Sequence, residues 1–265
     1  MKRALTALVL VPVAVYSVLF APEWFFTIVL AAFAILCFRE YARITDAYAM
    51  PGYVAGLLIL LAPVTQAALI LFLTALAAMC LTMSAEDFGK GAARAAALVL
   101  GVAYIFGAWK TAMLLHEVNA PALKHLTAGS HWLMFALIVN WIGDTGAYYV
   151  GRKFGKHKLA PRVSPGKSWE GAVASAVTGV IFGLIYLPLA ITGTSLWIAG
   201  AISLVANAAG QIGDLAESAL KRGAGVKDSG TMLPGHGGML DRLDSSLFAM
   251  PVVYTLVMLL AQTSR

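Results

Sequence analysis

Apolar residues occur in long runs along this chain, and short polar breaks separate them. Nine runs can be read, at residues 4–20, 24–38, 52–62, 65–83, 94–114, 131–150, 171–190, 195–213 and 245–261. Runs of this kind predict membrane-spanning helices, since about 20 helical residues cross the roughly 30 Å hydrocarbon layer. The third run is too short to cross unaided. It either begins earlier, near Tyr48, or re-enters the same face. The predicted fold class is therefore all-α, a polytopic integral membrane protein with about nine transmembrane helices. No linker, low-complexity stretch or internal repeat interrupts the pattern.

Composition sharpens the picture. Of 265 residues, 60% are hydrophobic and only 12% are charged, with a mean hydropathy of +0.81. A soluble domain carries about 25% charged residues, so there is no room here for a sizeable one. The net charge of +6 is not a nucleic-acid signal, because the bases sit in short loops. Cys37 and Cys80 lie inside apolar runs and read as small buried hydrophobes. The first 21 residues resemble a signal peptide. No small-x-small cleavage site follows them, so a retained first helix is expected.

Charge placement sets an orientation. With a cytoplasmic N-terminus and nine crossings, sixteen of the 19 Lys and Arg residues fall inside. Lys124 and Arg265 fall outside, and Lys110 lies in the fifth helix toward its outer end. Dropping the third segment would move Lys2, Arg3, Arg39 and Arg43 outside, so nine crossings are favoured. The same rule puts two charged loops, 151–170 and 214–244, on the cytoplasmic face. Residues 39–50 read either as a short interfacial helix, with Arg39 and Arg43 on one face, or as a plain positive anchor. His116, His125 and His131 fit no metal-ligand spacing.

The first candidate site is the stretch 211–244, which holds Asp214, Glu217, Asp228, Asp241 and Asp244 with Lys221, Arg222, Lys227 and Arg242. Asp214, Glu217, Ser218 and Lys221 have helical spacing and share a face, and Asn207 and Gln211 extend it backward. A glycine-rich loop follows, and Asp241 and Asp244 share a face at the start of the last helix. Carboxylate oxygens suit Mg²⁺, which usually bridges one or two carboxylates to substrate phosphates. Lys and Arg neutralise the remaining phosphate charge, and glycines let backbone approach it. Phosphoryl and nucleotidyl transfer need little more than this positioning. The plainer reading is a solvated loop. It fails to explain polar positions that run into an apolar helix, where they are costly.

The second candidate site is 140–171. Asp144 lies within an apolar run, about two turns from its end, with Tyr148 a turn further along the face. Six bases then follow with one acid, Glu170. Ser168 can cap a helix starting at Trp169, which places Lys167 beside a helix N-terminus suited to phosphate.

Ser218 to Asp244, SALKRGAGVKDSGTMLPGHGGMLDRLD, resembles the signature of the phosphatidate cytidylyltransferase (CDP-diacylglycerol synthase) family. Every fixed position of that pattern is present: Ser218, Lys221, Arg222, Lys227, Asp228, His236, Gly237, Gly238, Asp241, Arg242 and Asp244. Asp144 and the run Ser164-Pro165-Gly166-Lys167-Ser168 also resemble an upstream part of the family pattern, where a second Lys or Thr often stands at Gly166 or Ser168. The resemblance covers residues 140–250; the N-terminal part matches only in being helical.

The resemblance implies a reaction: CTP and phosphatidate give CDP-diacylglycerol and pyrophosphate, for phospholipid biosynthesis. Read from the residues themselves, Asp214 and Asp241 are the expected carboxylates on Mg²⁺, with Asp144, Asp228 and Asp244 as second choices. A second cation, monovalent or divalent, is left open. Lys167, Lys221, Arg222, Lys227 and Arg242 would hold phosphates, with Ser218 beside them. Gly237 and Gly238 would admit them, and His236 would contact pyrophosphate or nucleotide or else shape the loop. Residues 1–130 are then a scaffold and 131–265 the catalytic half. The expected setting is a bacterial-type inner membrane, with the active site facing the cytoplasm, no nucleic-acid partner and a homodimer left open. Two alternatives stand: another CTP-dependent lipid enzyme, such as a polyprenol or phytol kinase or an archaeal-type lipid cytidylyltransferase, and an ion-coupled transporter using Asp144 and Asp214.

Overall fold

The computed structural model describes residues 12–118, 128–233, 235 and 237–263. Residues 12–19 are helical. The named elements are α1 (Glu23–Thr45), α2 (Ala49–Leu61), α3 (Val64–Thr82), α4 (Phe88–Gly101), α5 (Ala108–His116) and α6 (Ala128–Phe154). They continue with the short strands β1 (Lys158–Ala160) and β2 (Ser164–Ser168), then α7 (Trp169–Ala190), α8 (Leu196–Gly223) and α9 (Leu240–Thr263). Among the described residues, six helical spans are long and apolar enough to cross a membrane: α1, α3, α4 through α5, α7, α8 and α9. The chain is an all-α integral membrane protein.

The chain forms two compact units, each discontinuous in sequence. The first contains Glu23–Lys110 and Leu220–Leu243. Its core is aromatic. Phe38 of α1 lies 5.3 Å from Phe106 and 5.4 Å from Tyr53, ring centre to ring centre. Phe106 belongs to a π-helical turn, Val102–Gly107, that joins α4 to α5 without a break. Such a turn inserts one extra residue and re-aims the side chains after it. Tyr41 is fully buried and donates its hydroxyl to the Ala97 carbonyl at 3.0 Å.

Helix α2 is the short third segment. It starts directly after Tyr48, as the early-start reading required, and its 13 residues rise about 20 Å, less than the hydrocarbon thickness. Its end is completed from elsewhere. The Lys110 ammonium donates to the carbonyls of Leu60 (3.0 Å) and Ala62 (2.7 Å). Helix C-termini leave carbonyls unpaired and carry partial negative charge, so the cation there is stabilising. This accounts for a charge inside an apolar helix.

Residues 39–45 do not form a separate short helix. They are the last two turns of α1, which ends where Asp46 takes a positive φ of 53°. The buried side of α1 carries on through Glu40, Tyr41 and Ala42, so packing extends the helix past its apolar run. Cys37 is buried as expected, but Cys80 is exposed. It sits on α3, of which little is covered by protein, so the side chain is apolar without being interior.

The second unit contains Val11–Pro22, Thr111–Ala219 and Asp244–Arg265. Phe135 of α6 stacks on Phe182 of α7 at 6.1 Å. The histidines are used in packing. His131 Nδ1 pairs with the Tyr186 hydroxyl at 3.0 Å, and His116 Nε2 lies 3.0 Å from the Val18 carbonyl and 3.2 Å from Ser130 Oγ. His125 lies outside the described residues. A polar seam runs along α8, where Gln211 donates to Asn207 Oδ1 (2.7 Å) and Asn207 donates to Ser175 Oγ of α7 (3.1 Å). Pairing of this kind offsets the cost of amides inside an apolar bundle.

Candidate active site

Two polar clusters stand out, one in each unit. In the second unit, β1 and β2 form a small antiparallel hairpin between α6 and α7, with Lys158 opposite Ser168 and Ala160 opposite Ser164. Ser168 ends the hairpin and caps α7, accepting from the Gly171 N–H at 3.1 Å, as the sequence predicted. Glu170, in the first turn of α7, accepts from His157 Nδ1 (2.7 Å) and from the His157 N–H (3.2 Å), which pins the hairpin base. The hairpin thereby delivers Lys167 to Asp214 of α8, with Nζ 2.5 Å from Oδ2. The other Asp214 oxygen faces Ser218 Oγ at 3.4 Å.

A cavity of about 350 Å³ opens beside this pair, lined by Asp144, Tyr148, Arg152, Lys167, Ser168 and Gln211 among others. Arg152 donates to the Tyr148 hydroxyl at 2.8 Å, one helical turn away. The cavity holds two cationic side chains and one exposed carboxylate, Asp144. It is large enough for a phosphate headgroup with part of a glycerol or sugar. Asp244 belongs to this unit too. It is buried, and its Oδ1 accepts from the Ser245 N–H at 2.6 Å.

In the first unit the signature loop folds around Asp241. Lys221 Nζ is 2.6 Å from Asp241 Oδ1, while the N–H groups of Ser229 (3.0 Å) and Gly238 (2.7 Å) donate to Oδ2. A carboxylate at the start of α9 also meets the positive end of that helix. Gly237 has φ of +80°, which a side chain would strain. At Gly238 a Cβ would collide with Ser229 Oγ and with the Glu40 carboxyl. Both glycines are thus required by the loop's own packing, and the Gly238 N–H is spent on Asp241.

Helix α8 runs on to Gly223, ten residues past its apolar run, and carries its whole predicted polar face with it. It ends with Gly225 at φ +71°, where the Val226 N–H donates to the Lys221 carbonyl at 2.9 Å. Arg222 Nη1 donates to the Val226 carbonyl at 2.9 Å and so braces this turn. Lys227, Asp228 and Arg242 are exposed. His236 lies outside the described residues.

The predicted site residues therefore divide. Lys167 with Asp214 and Ser218 form one group, beside Asp144 at the cavity. Lys221 with Asp241, Ser229 and Gly238 form the other. The residue that sequence reasoning passed over is Glu40, whose carboxyl accepts from Ser229 Oγ and the Leu240 N–H. In the sequence Glu40 falls just past the apolar run 24–38, between Arg39 and Arg43, so no local signal marked it as interior.

A cytidylyltransferase family model matches residues 1–260. This chain belongs to the cytidylyltransferase family. Relatives named phosphatidate cytidylyltransferase include one from Staphylococcus saprophyticus, 43% identical over 145 residues, which are 55% of this chain and 53% of that one. One from Staphylococcus haemolyticus is 43% identical over 129 residues, 49% of this chain and 50% of that one. One from Staphylococcus epidermidis is 37% identical over 163 residues, 62% and 59% of the two chains. The chain spans about half the length of the relatives it matches.

Magnesium can be tested against these groups. Among the described residues no three His, Cys, Asp or Glu side chains cluster as an ion cage. Mg²⁺ seldom uses one; it prefers one or two carboxylates, waters and substrate phosphates. Asp214 suits that arrangement, being about a quarter exposed with a single strong partner. Asp241 is more enclosed and accepts three donors already.

Proposed function

We propose that the protein transfers a cytidylyl group from CTP to phosphatidate. A phosphate oxygen of the lipid attacks the α-phosphorus of CTP. One phosphoanhydride bond forms, the bond to the β-phosphate breaks, and CDP-diacylglycerol and pyrophosphate leave. The lipid phosphate is its own nucleophile, so the protein need only align the two anions and offset their charge.

The observation that carries this reading is that each cluster holds a lysine ammonium directly on a carboxylate. Each pair is balanced alone and becomes complementary to a phosphate and a metal ion together, the lysine to the first and the carboxylate to the second. Mg²⁺, when bound, supplies positive charge to the phosphates. Asp214 and Asp241 would be its carboxylate ligands in this reading, with Asp144, Asp228 and Asp244 as second choices. Lys167 and Arg152 serve the lipid phosphate from the cavity. Lys221, Arg222, Lys227 and Arg242 serve the triphosphate.

The setting supports the same reading. Sixteen of 19 basic residues fall on one side in the nine-crossing topology, so both clusters face the cytoplasm, where CTP is. In this reading the membrane is a bacterial-type inner (cytoplasmic) membrane, which the bacterial source of the relatives supports. Cysteine labelling in intact cells tests the orientation: K158C resists an impermeant reagent and R265C reacts, and the reverse pattern overturns it.

The function is tested on purified protein in detergent, given CTP, phosphatidate and Mg²⁺, with pyrophosphate release followed. Release that depends on both substrates supports the reading. Turnover with a polyprenol in place of phosphatidate, or none with any lipid, overturns it.

A further inference from the structure

The Lys221–Asp241 cluster contains an acid that the reaction above does not use. Glu40 lies near the end of α1, only 6% exposed. Its Oε2 accepts from Ser229 Oγ (2.9 Å) and from the Leu240 N–H (2.8 Å). Its Oε1 is buried without a hydrogen-bond partner among the described residues. The loop is shaped around this side chain. A Cβ at Gly230 would collide with Oε1, and one at Gly238 with Oε2.

We propose that Glu40 is a positioning residue for the signature loop, holding the Lys221–Asp241 pair in register by gripping Ser229 and the start of α9. Ser229 is the link. Its N–H donates to Asp241 and its hydroxyl to Glu40, so the two acids grip one residue from two sides. They also share the helix start, Glu40 taking the Leu240 N–H and Asp241 the Gly238 N–H. A helix start needs a hydrogen-bond acceptor, and a local Ser, Asp or Asn supplies one at little cost. Here the acceptor comes from 200 positions away and buries a carboxyl, which is costly. That expense fits a requirement for fixed geometry better than a requirement for a cap. It also couples the N-terminal helix to the loop that carries the signature.

This inference rests on the proposed cytidylyl transfer, and its test separates the two. The full chain is purified in detergent as Glu40→Gln, Glu40→Asp and Ser229→Ala, and the Mg²⁺ dependence of pyrophosphate release is measured with kcat and both KM values. Glu40→Gln keeps the volume and one oxygen. It lowers kcat about ten- to a hundredfold and raises the Mg²⁺ concentration for half-maximal rate, while KM for phosphatidate stays within about twofold. Ser229→Ala gives the same split, smaller, and the double variant falls short of the product of the two. Glu40→Asp recovers part of the rate. Independently of turnover, trypsin cuts after the exposed Lys227 faster in Glu40→Gln than in the parent.

Parental kcat and Mg²⁺ dependence in Glu40→Gln overturn the proposal, and so does an equal rise in both KM values at constant kcat. If Glu40→Gln fails to fold, the Ser229→Ala split decides the matter in the same terms. An inactive parent whose loop still becomes trypsin-sensitive on Glu40→Gln refutes the cytidylyl-transfer reading and leaves the positioning role in place.

Discussion

Lys167–Asp214 and Lys221–Asp241 join the same two groups at nearly the same distance, 2.5 and 2.6 Å. Their surroundings differ. The first pair is 27% and 26% exposed and sits at the edge of a cavity; the second is 10% and 6% exposed and sits inside a folded loop. Asp214 has one weak hydroxyl contact besides its lysine, whereas Asp241 accepts two backbone N–H groups as well. A pair open to water is worth about 0–1 kcal/mol, while removing one partner of a buried pair costs about 3–5 kcal/mol. The first pair is thus the more accessible to a ligand, and the second the more costly to break. Function can depend on both, but stability depends mainly on the second.

The widest separation comes from Asp241→Asn. Turnover should fall by on the order of a hundredfold or more, and the unfolding midpoint in detergent should fall with it. The double variant Lys221→Met/Asp241→Leu removes both charges together but strands the Ser229 and Gly238 N–H groups, so it should regain only part of the stability and none of the activity. A double variant that turns over normally would make the pair a frame only.

Asp214→Asn sharpens the contrast from the other side. Turnover should again fall by on the order of a hundredfold, yet the unfolding midpoint should change by no more than about 1 kcal/mol of stability. Near-normal rates at saturating Mg²⁺ would remove Asp214 from the metal's ligands.

Smaller effects divide the substrates. Lys167→Ala should raise KM for phosphatidate about ten- to a hundredfold, and KM for CTP less, since a charge-assisted phosphate contact contributes about 1.5–3 kcal/mol. Arg222→Ala should do the reverse. If both variants alter kcat alone, the contacts form only in the transition state and the assignment is wrong.

The smallest effect concerns the ion. Mg²⁺ alone should barely move the unfolding midpoint, and Mg²⁺ with CTP should raise it progressively with nucleotide concentration. Equal stabilisation without CTP would mean that the protein completes the metal site unaided.

Much of this was readable in advance. The helices followed from apolar runs, because hydrocarbon demands internally paired backbone over a fixed length. The stripe Asn207, Gln211, Asp214, Ser218, Lys221 followed from helical spacing, and the Ser168 cap from hydroxyl chemistry at a helix start. These features depend on neighbours a few positions away, and periodicity reports such neighbours faithfully.

Other features were closed to that reading. The ends of α1 and α8 lie beyond their apolar runs, because tertiary packing, not hydropathy, sets where a helix stops. Lys110 appeared as a stray charge until α2 was seen to end beneath it. Nothing in the spacing pairs Lys167 with Asp214, since the hairpin that brings them together is built from residues with little strand signal. Glu40 and Ser229 are 189 positions apart, and Glu40 and Leu240 are 200. A contact at that separation leaves no local trace in one sequence. It exists because an apolar helix and a glycine-rich loop pack closely enough to exclude water, and the buried carboxyl must then take whatever donors the fold presents.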